Sequence, residues 1–176
     1  TVFVDGTKLE SSAGRYTFCW RGSVEKHLER VREKVFQLTG LKKLQALRHY
    51  LEQQSGCIPF VHGKGKHKSE EQRRWEELNE LCKRWEGYED SLRIMGEGRN
   101  SYAKTDPDAT FMRMKDDHMR NGQLKPAYNV QIAVNSEYIT GVDVFSNRTD
   151  FGTLVPFLKQ LQRKHEAKYK EVTADA

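Results

Sequence analysis

Two aspartates stand directly after short, apolar, β-prone stretches near the two ends of the chain. Asp5 follows residues 2–4, and Asp175 follows residues 172–174. Carboxylates at the ends of two neighbouring strands can hold a pair of magnesium ions, which activate the attacking and leaving oxygens of a phosphodiester. For Asp5 a simple Asp-Gly turn is the alternative. The separation of the two aspartates along the chain does not determine whether they are close in space. Their pairing therefore depends on the fold.

The elements that must position these aspartates are predicted from periodicity. Residues 2–4 and 16–20 are β-prone, residues 128–134 alternate apolar and polar side chains, and residues 139–145 form a partner strand after a hairpin-length break. A helix with Thr153 as its cap then precedes the last strand. The predicted order is strand, helical insertion, strand, strand, helix, strand. In such an order the first and last strands can lie side by side.

The helical insertion has apolar residues at helical spacing with charged residues between them. One stretch runs from Ser23 and resumes in a shifted phase after Thr39-Gly40, and a second begins after Ser69, which is predicted to be an N-cap. Each stretch carries one narrow apolar stripe. We therefore expect the two to pack as an antiparallel hairpin that leaves most of its charges in solvent.

Composition narrows the class of protein. The 176 residues include 36% hydrophobic and 31% charged residues, with a net charge of +5. No apolar run approaches the roughly 18 residues of a membrane span, and no leader-like segment opens the chain, which predicts a soluble, cytoplasmic protein. Three cysteines without a C-x-x-C pair argue against a disulfide framework and a structural zinc site. Both ends of the chain suggest a piece of something longer.

Basic residues in two segments are candidate contacts to DNA phosphates, which position the nucleic acid without base preference. They are Arg113, Lys115, Arg120 and Lys125 in the middle segment, and Lys64, Lys66 and Lys68 in the loop of the helical insertion. For the loop lysines a solvated basic loop is about equally expected. An acidic cluster near the middle segment is better explained as turn capping than as a metal site; it comprises Asp106, Asp108, Asp116 and Asp117, with His118 beside it.

The amino-acid sequences of three segments resemble those of a known protein family. Residues 3–10 with 16–20 resemble the opening of the catalytic domain of bacterial insertion-sequence transposases of the DDE class, and most closely the insertion sequence 1182 family. Residues 105–112, continuing through 119–131, are similar to the family's most recognisable segment. Residues 173–176 resemble the start of its second acidic motif. The likeness covers nearly the whole chain and is most specific in its middle.

The resemblance implies a fold, a chemistry and a site. The fold would be α/β, with a ribonuclease H-like mixed sheet of residues 1–21 and 101–176, interrupted by a long, coiled-coil-like helical insertion of residues 22–100. Asp5 and Asp175 would be the first and second ligands of Mg²⁺, or of Mn²⁺ in its place. The complete protein would cleave DNA at the element's terminal inverted repeats and join it to target DNA, as a homo-oligomer associated with the bacterial nucleoid.

The third acidic residue of the family, a glutamate on a later helix, has no counterpart in the sequence. We therefore expect this chain by itself neither to cut nor to join DNA. Two alternatives stay open. One is a ribonuclease H-like nuclease, which cuts without joining. The other is a non-catalytic, basic coiled-coil DNA-binding protein or an inactive relic of a transposase.

Overall fold

A computed structural model describes residues 1–14, 16–63, 67–114, 122–166 and 169–174. This part of the chain is mixed α/β. Its strands are β1 (Val2–Glu10), β2 (Phe18–Trp20), β3 (Ser101–Ala103), β4 (Thr110–Arg113), β5 (Leu124–Asn135), β6 (Tyr138–Phe145) and β7 (Val172–Ala174). Its α-helices are α1 (Arg21–Thr39), α2 (Leu44–Ser55), α3 (Glu70–Met95) and α4 (Leu154–His165), and a 3₁₀ turn spans Asp150–Gly152.

The chain forms two compact units. The first combines Thr1–Trp20 with Met95–Ala176 and contains the strands and α4. The second, Arg21–Ile94, is helical. Each unit has its own cluster of buried apolar side chains.

The larger sheet of the first unit is mixed. Its strand order is β4-β5-β1-β7, and β6 pairs with β5. Strand β1 is antiparallel to β5 and parallel to β7. The prediction that the first and last strands are neighbours is therefore confirmed. Strands β2 and β3 form a separate antiparallel pair.

The first strand is longer than its apolar residues indicated. Residues as far as Glu10 are paired with β5, so the Asp5-Gly6 dipeptide lies within β1. The alternative prediction of an Asp-Gly turn at this point is wrong. The extended pairing with β5 supplies backbone hydrogen-bond partners that a local propensity does not reveal.

A two-residue turn joins β5 to β6, as the sequence indicated. Asn135 pairs with Tyr138, and the two residues between them, Ser136 and Glu137, have φ values of 48° and 71°. Two consecutive positive φ values are typical of the type I′ turn, whose twist matches that of the flanking strands. Neither residue is the glycine or asparagine that this conformation favours.

Helix α4 covers one face of the sheet. Phe157 and Leu161 are buried with Val2, Val4 and Ala133 in one apolar cluster. Thr153 occupies the N-cap position as predicted, but its hydroxyl donates to the carbonyl of Asp150 and accepts no hydrogen bond from a helix N–H. The start of α4 is thereby tied to the 3₁₀ turn that precedes it.

The described residues of the helical unit form three helices. The interruption predicted at Thr39-Gly40 separates α1 from α2, and Gly40 has a φ value of 72°. Helix α3 is antiparallel to α1. Arg32 contacts Glu89, and Arg74, near the other end of α3, donates to the carbonyl of Leu38. The predicted Ser69 cap is confirmed, since its hydroxyl accepts from the Gln72 N–H.

The core of this unit is a single cluster centred on α3. Its buried members are Leu28, Val31, Val35, Leu47, Leu51, Leu78, Leu81, Cys82 and Trp85. Ion pairs such as Arg48 with Glu86 lie on the surface of this unit. Among the described residues, no helix combines the length and apolar character needed to cross a membrane.

Candidate functional site

Asp5 lies on a central strand of the mixed sheet. It pairs with Ile132 of β5 on one side. On the other side, the preceding residue Val4 pairs with Ala174 of β7. Ala174 is the last described residue of β7, and the second predicted ligand, Asp175, lies outside the described residues. The topology thus brings the residue before each of the two aspartates to paired positions on parallel strands.

The side chain of Asp5 belongs to the sheet face opposite α4. Alternate residues of a strand face opposite sides, and the buried residues Val2 and Val4 contact α4. The face of Asp5 also carries its cross-strand neighbours, of which Val142 is 52% exposed. Asp5 is itself exposed, so it is a carboxylate accessible to solvent among apolar side chains.

A carboxylate oxygen, such as those of Asp5, is the type of ligand that a hard divalent cation prefers. Magnesium is usually held by one or two carboxylates and keeps several water molecules, which requires an open site. Asp5 offers such a carboxylate on a rigid strand. In the described part of the chain, no group of three or more His, Cys, Asp or Glu residues is arranged to hold a metal ion.

A basic cleft lies elsewhere in the same unit. Its volume is about 720 Å³. Four cationic side chains and one carboxylate line it together with polar groups: Lys8, Arg99, Arg113 and Arg148, with Glu97. Only Arg113 was predicted from the sequence. The others were missed because they are far apart in the chain, and no local spacing connects them.

The other predicted phosphate contacts differ from Arg113 in their surroundings. Lys125 forms an ion pair with Glu10 at 2.7 Å, and Lys68 donates to both carboxylate oxygens of Glu76 at 2.9 and 2.7 Å. Their charges are therefore locally compensated. Four further candidates lie outside the described residues: Lys64, Lys66, Lys115 and Arg120.

Two buried amides anchor the segment that leads from β6 into α4. Asn129 donates to Oδ1 of Asp150 at 2.7 Å and to the carbonyl of Asn147 at 3.2 Å. Gln131 donates to the same Oδ1 at 2.9 Å. The two amides are 0% and 2% exposed. Nothing in the local sequence around Asp150 indicates this network, because its donors come from β5.

A second carboxylate network fixes the turn at Asp106. Its Oδ2 accepts hydrogen bonds from Ser11 and Tyr128, each at 2.5 Å. These bonds hold the pKa of Asp106 below its usual value, and the bond to Asp106 raises the pKa of Tyr128 to about 12. Among the acidic cluster, Asp106 thus has a structural role in the turn. Asp116, Asp117 and His118 lie outside the described residues.

Arg99 joins the same turn to the basic cleft. It donates to the Thr110 hydroxyl at 3.1 Å and to the carbonyls of Pro107 and Ala109 at 2.7 and 3.0 Å. Burial lowers the pKa of Arg99, while the nearby Asp108 and Asp106 oppose that shift. The guanidinium is thus partly occupied by the protein itself, and it adds positive charge to the cleft.

Comparison with protein-family models, curated proteins and solved structures found no match to this chain.

Proposed function

We propose that the chain forms part of a DDE transposase, with Asp5 and Asp175 as the first two metal-binding carboxylates of a ribonuclease H-like catalytic domain. The observation that carries this proposal is the pairing of Val4 with Ala174. It joins the residues that directly precede the two aspartates. A mixed sheet with α4 before the parallel strand β7 also supports it.

The chain's own contribution would be position and charge. Asp5 sits on a strand held by neighbours on both sides, which fixes its backbone against displacement. A bound divalent ion would supply activation of the attacking oxygen and neutralisation of the developing charge. Arg113 and other basic residues of the middle segment would bind DNA phosphates. The third carboxylate would come from a part of the enzyme beyond these 176 residues.

Metal binding can be tested on this chain directly. Mn²⁺ is titrated into the isotopically labelled protein, and paramagnetic broadening of backbone NMR signals reports which residues lie near the ion. We expect broadening at Val4 and Gly6 that is lost in Asp5→Asn. Asp143→Asn is the matched control, because Asp143 is a carboxylate of the same sheet on strand β6. Broadening that Asp5→Asn leaves unchanged would contradict the proposal.

Activity separates this proposal from its alternatives. In an enzyme that also carries the third carboxylate, Asp5→Asn should abolish strand transfer and leave DNA binding intact. Strand transfer that survives the substitution rules out the catalytic role of Asp5. Cleavage without any joining would favour the ribonuclease H-like nuclease. DNA binding without metal-dependent chemistry would favour a non-catalytic DNA-binding protein or a relic.

A further inference from the structure

The basic cleft is separate from the proposed metal site. Lys8 lines the cleft and pairs with Asn129, on the same sheet face as the amides that anchor Asp150. Asp5 is three residues earlier on β1, and its side chain therefore belongs to the opposite face. The cations of the cleft are thus not placed to hold a phosphate against Asp5. They form a second positively charged site, at which Arg113 and its neighbours would bind a phosphate away from the metal-binding carboxylate.

Two of the cleft's cations have no acidic partner among the described residues. None of the ion pairs in that part of the chain involves Arg113 or Arg148. Both residues are exposed. This distinguishes them from Lys125 and Lys68, whose charges are compensated by glutamates. An exposed guanidinium without a carboxylate keeps its donors available for an anion.

Hydrogen bonds within the protein fix the segment that carries Arg148, and they do not require a ligand. Asn147 and Asp150, on either side of Arg148 and Thr149, both accept from the buried Asn129 amide. Gln131 adds a second bond to Asp150. The buried amides therefore fix the short segment that brings Arg148 and Thr149 to the cleft. A site on fixed backbone loses less entropy when it binds.

A second part of the cleft lining is also fixed by a hydrogen bond. Lys8 donates one hydrogen bond to the carbonyl of Arg113 at 2.9 Å, which links β1 to the end of β4. An ammonium group has three donors, so two stay available to a ligand. Arg99, which is hydrogen-bonded to Thr110, adds a further positive charge to the cleft. The cleft thus combines three cations with available donors and a fourth that is structurally fixed.

We propose that this cleft is a phosphate-binding site, formed by Lys8, Arg113 and Arg148, that is distinct from the metal site at Asp5. Guanidinium forks match the oxygens of phosphate, and an ammonium group adds a point charge. Side-chain amides and hydroxyls of the lining can complete the hydrogen bonding of the oxygens; they belong to Asn100, Asn147 and Thr149. Glu97, which also lines the cleft, disfavours anions close to it. The proposal does not depend on the metal chemistry.

The phosphate could come from a polynucleotide backbone or from a free nucleotide, and one set of measurements distinguishes the two. Fluorescence anisotropy follows a labelled DNA duplex, and isothermal titration calorimetry follows ATP and inorganic phosphate, on the full chain at low salt. The variants are Arg148→Gln and Arg113→Gln. Arg163→Gln is the matched control, since Arg163 is an exposed arginine of the same unit on α4.

For a polynucleotide, each cleft variant should weaken duplex binding about tenfold and reduce the slope of log affinity against log salt by about one. The control should leave both unchanged. For a free nucleotide, ATP binding should be weakened by the cleft variants while duplex binding is absent. Either result supports a phosphate site.

Two results overturn the proposal. One is that no phosphate-bearing probe binds. The other is that the Arg163 control loses as much affinity as the cleft variants, which would indicate a diffuse charge effect. Circular dichroism melts of all variants verify that each is folded. Asn129→Ala supplies an independent readout: it should weaken binding with all cleft cations still present, because it releases the segment that carries Arg148.

Discussion

Gly6 of β1 lies so close to Asp150 that a Cβ atom on Gly6 would be 2.8 Å from Oδ1 of that carboxylate. The same Cβ would come closer still to Nε2 of Gln131. The missing side chain therefore makes room for the network that anchors the segment before α4. This explains why a glycine stands in the interior of a central strand, where it is otherwise unfavourable.

The substitution Gly6→Ala should destabilise the protein by about 1–3 kcal/mol, because the added methyl group must displace hydrogen-bonded polar atoms. Urea denaturation followed by circular dichroism measures the change. Gly87→Ala is the control: no atom lies within 4 Å of its would-be Cβ, and Gly87 is exposed in helix α3. That substitution should stabilise its helix by about 1 kcal/mol. Equal effects of the two would contradict the close approach at Gly6.

The β5–β6 turn offers a stabilising substitution. Glu137 has a φ value of 71°, a conformation that costs a non-glycine residue about 1 kcal/mol or more. Glu137→Gly should therefore raise the free energy of unfolding, measured by thermal and urea denaturation. Glu29→Gly, at an exposed right-handed position of α1, should lower it by about 1 kcal/mol. A loss of stability in Glu137→Gly would show that the turn is not of the type I′ class.

The hydrogen bond from Tyr128 to Asp106 makes stability depend on pH. Because the folded-state pKa of Asp106 is lowered, its contribution is present above the unfolded pKa of about 3.9 and is lost as the pH falls through the folded value. Tyr128→Phe should therefore destabilise the protein at neutral pH, by an amount that shrinks in acid. Urea midpoints measured across pH 2–7 check this. A difference that is constant over the range would contradict it.

The ionisation of Tyr128 at alkaline pH provides a second test of its hydrogen bond to Asp106. Its pKa is raised to about 12, so its contribution is present below the usual tyrosine value of about 10 and is lost as the pH rises through about 12. Ultraviolet titration of phenolate should therefore show one tyrosine that ionises late. Asp106→Asn should remove the late one.

Trp85 is the largest side chain of the helical core. It is 2% exposed, and its indole N–H donates to Glu89 at 2.7 Å. Trp85→Ala should destabilise the helical unit by about 3–5 kcal/mol. The loss of helical circular dichroism on heating measures the change. Trp85→Phe should keep much of the apolar contact and cost less. A Trp85→Ala variant that melts like the parent protein would contradict the assignment of this core.

Much of the secondary structure could be predicted because its causes are local. The alternation of residues 128–134, the Ser69 cap and the spacing of Phe157 and Leu161 are visible in the sequence, and each corresponds to an observed element. The extent of β1 could not be predicted in this way. Asp5-Gly6 has turn propensity, and only the backbone partners in β5 and the space required by Asp150 explain an extended conformation there.

The candidate sites likewise combine features that could be predicted from the sequence with features that could not. The aspartate Asp5 could be singled out because it follows an apolar stretch, and the side-by-side arrangement of β1 and β7 could be expected from the order of elements. The convergence of Lys8, Arg99 and Arg148 could not be anticipated, since strand register and two short segments, before β3 and after β6, bring them together. Lys68 and Lys125 were predicted from charge alone, and their glutamate partners are a property of the folded structure.

The central place of β1 also has a consequence for the order in which the protein folds. Strand β1 precedes the helical unit in the chain, whereas its partners β5 and β7 follow that unit. The contacts within the helical unit span much shorter separations. Contacts that close short loops form faster than distant strand pairings. During synthesis the helices can therefore assemble while β1 still lacks its partners, and its apolar residues stay exposed to unwanted contacts until β5 and β7 have been made.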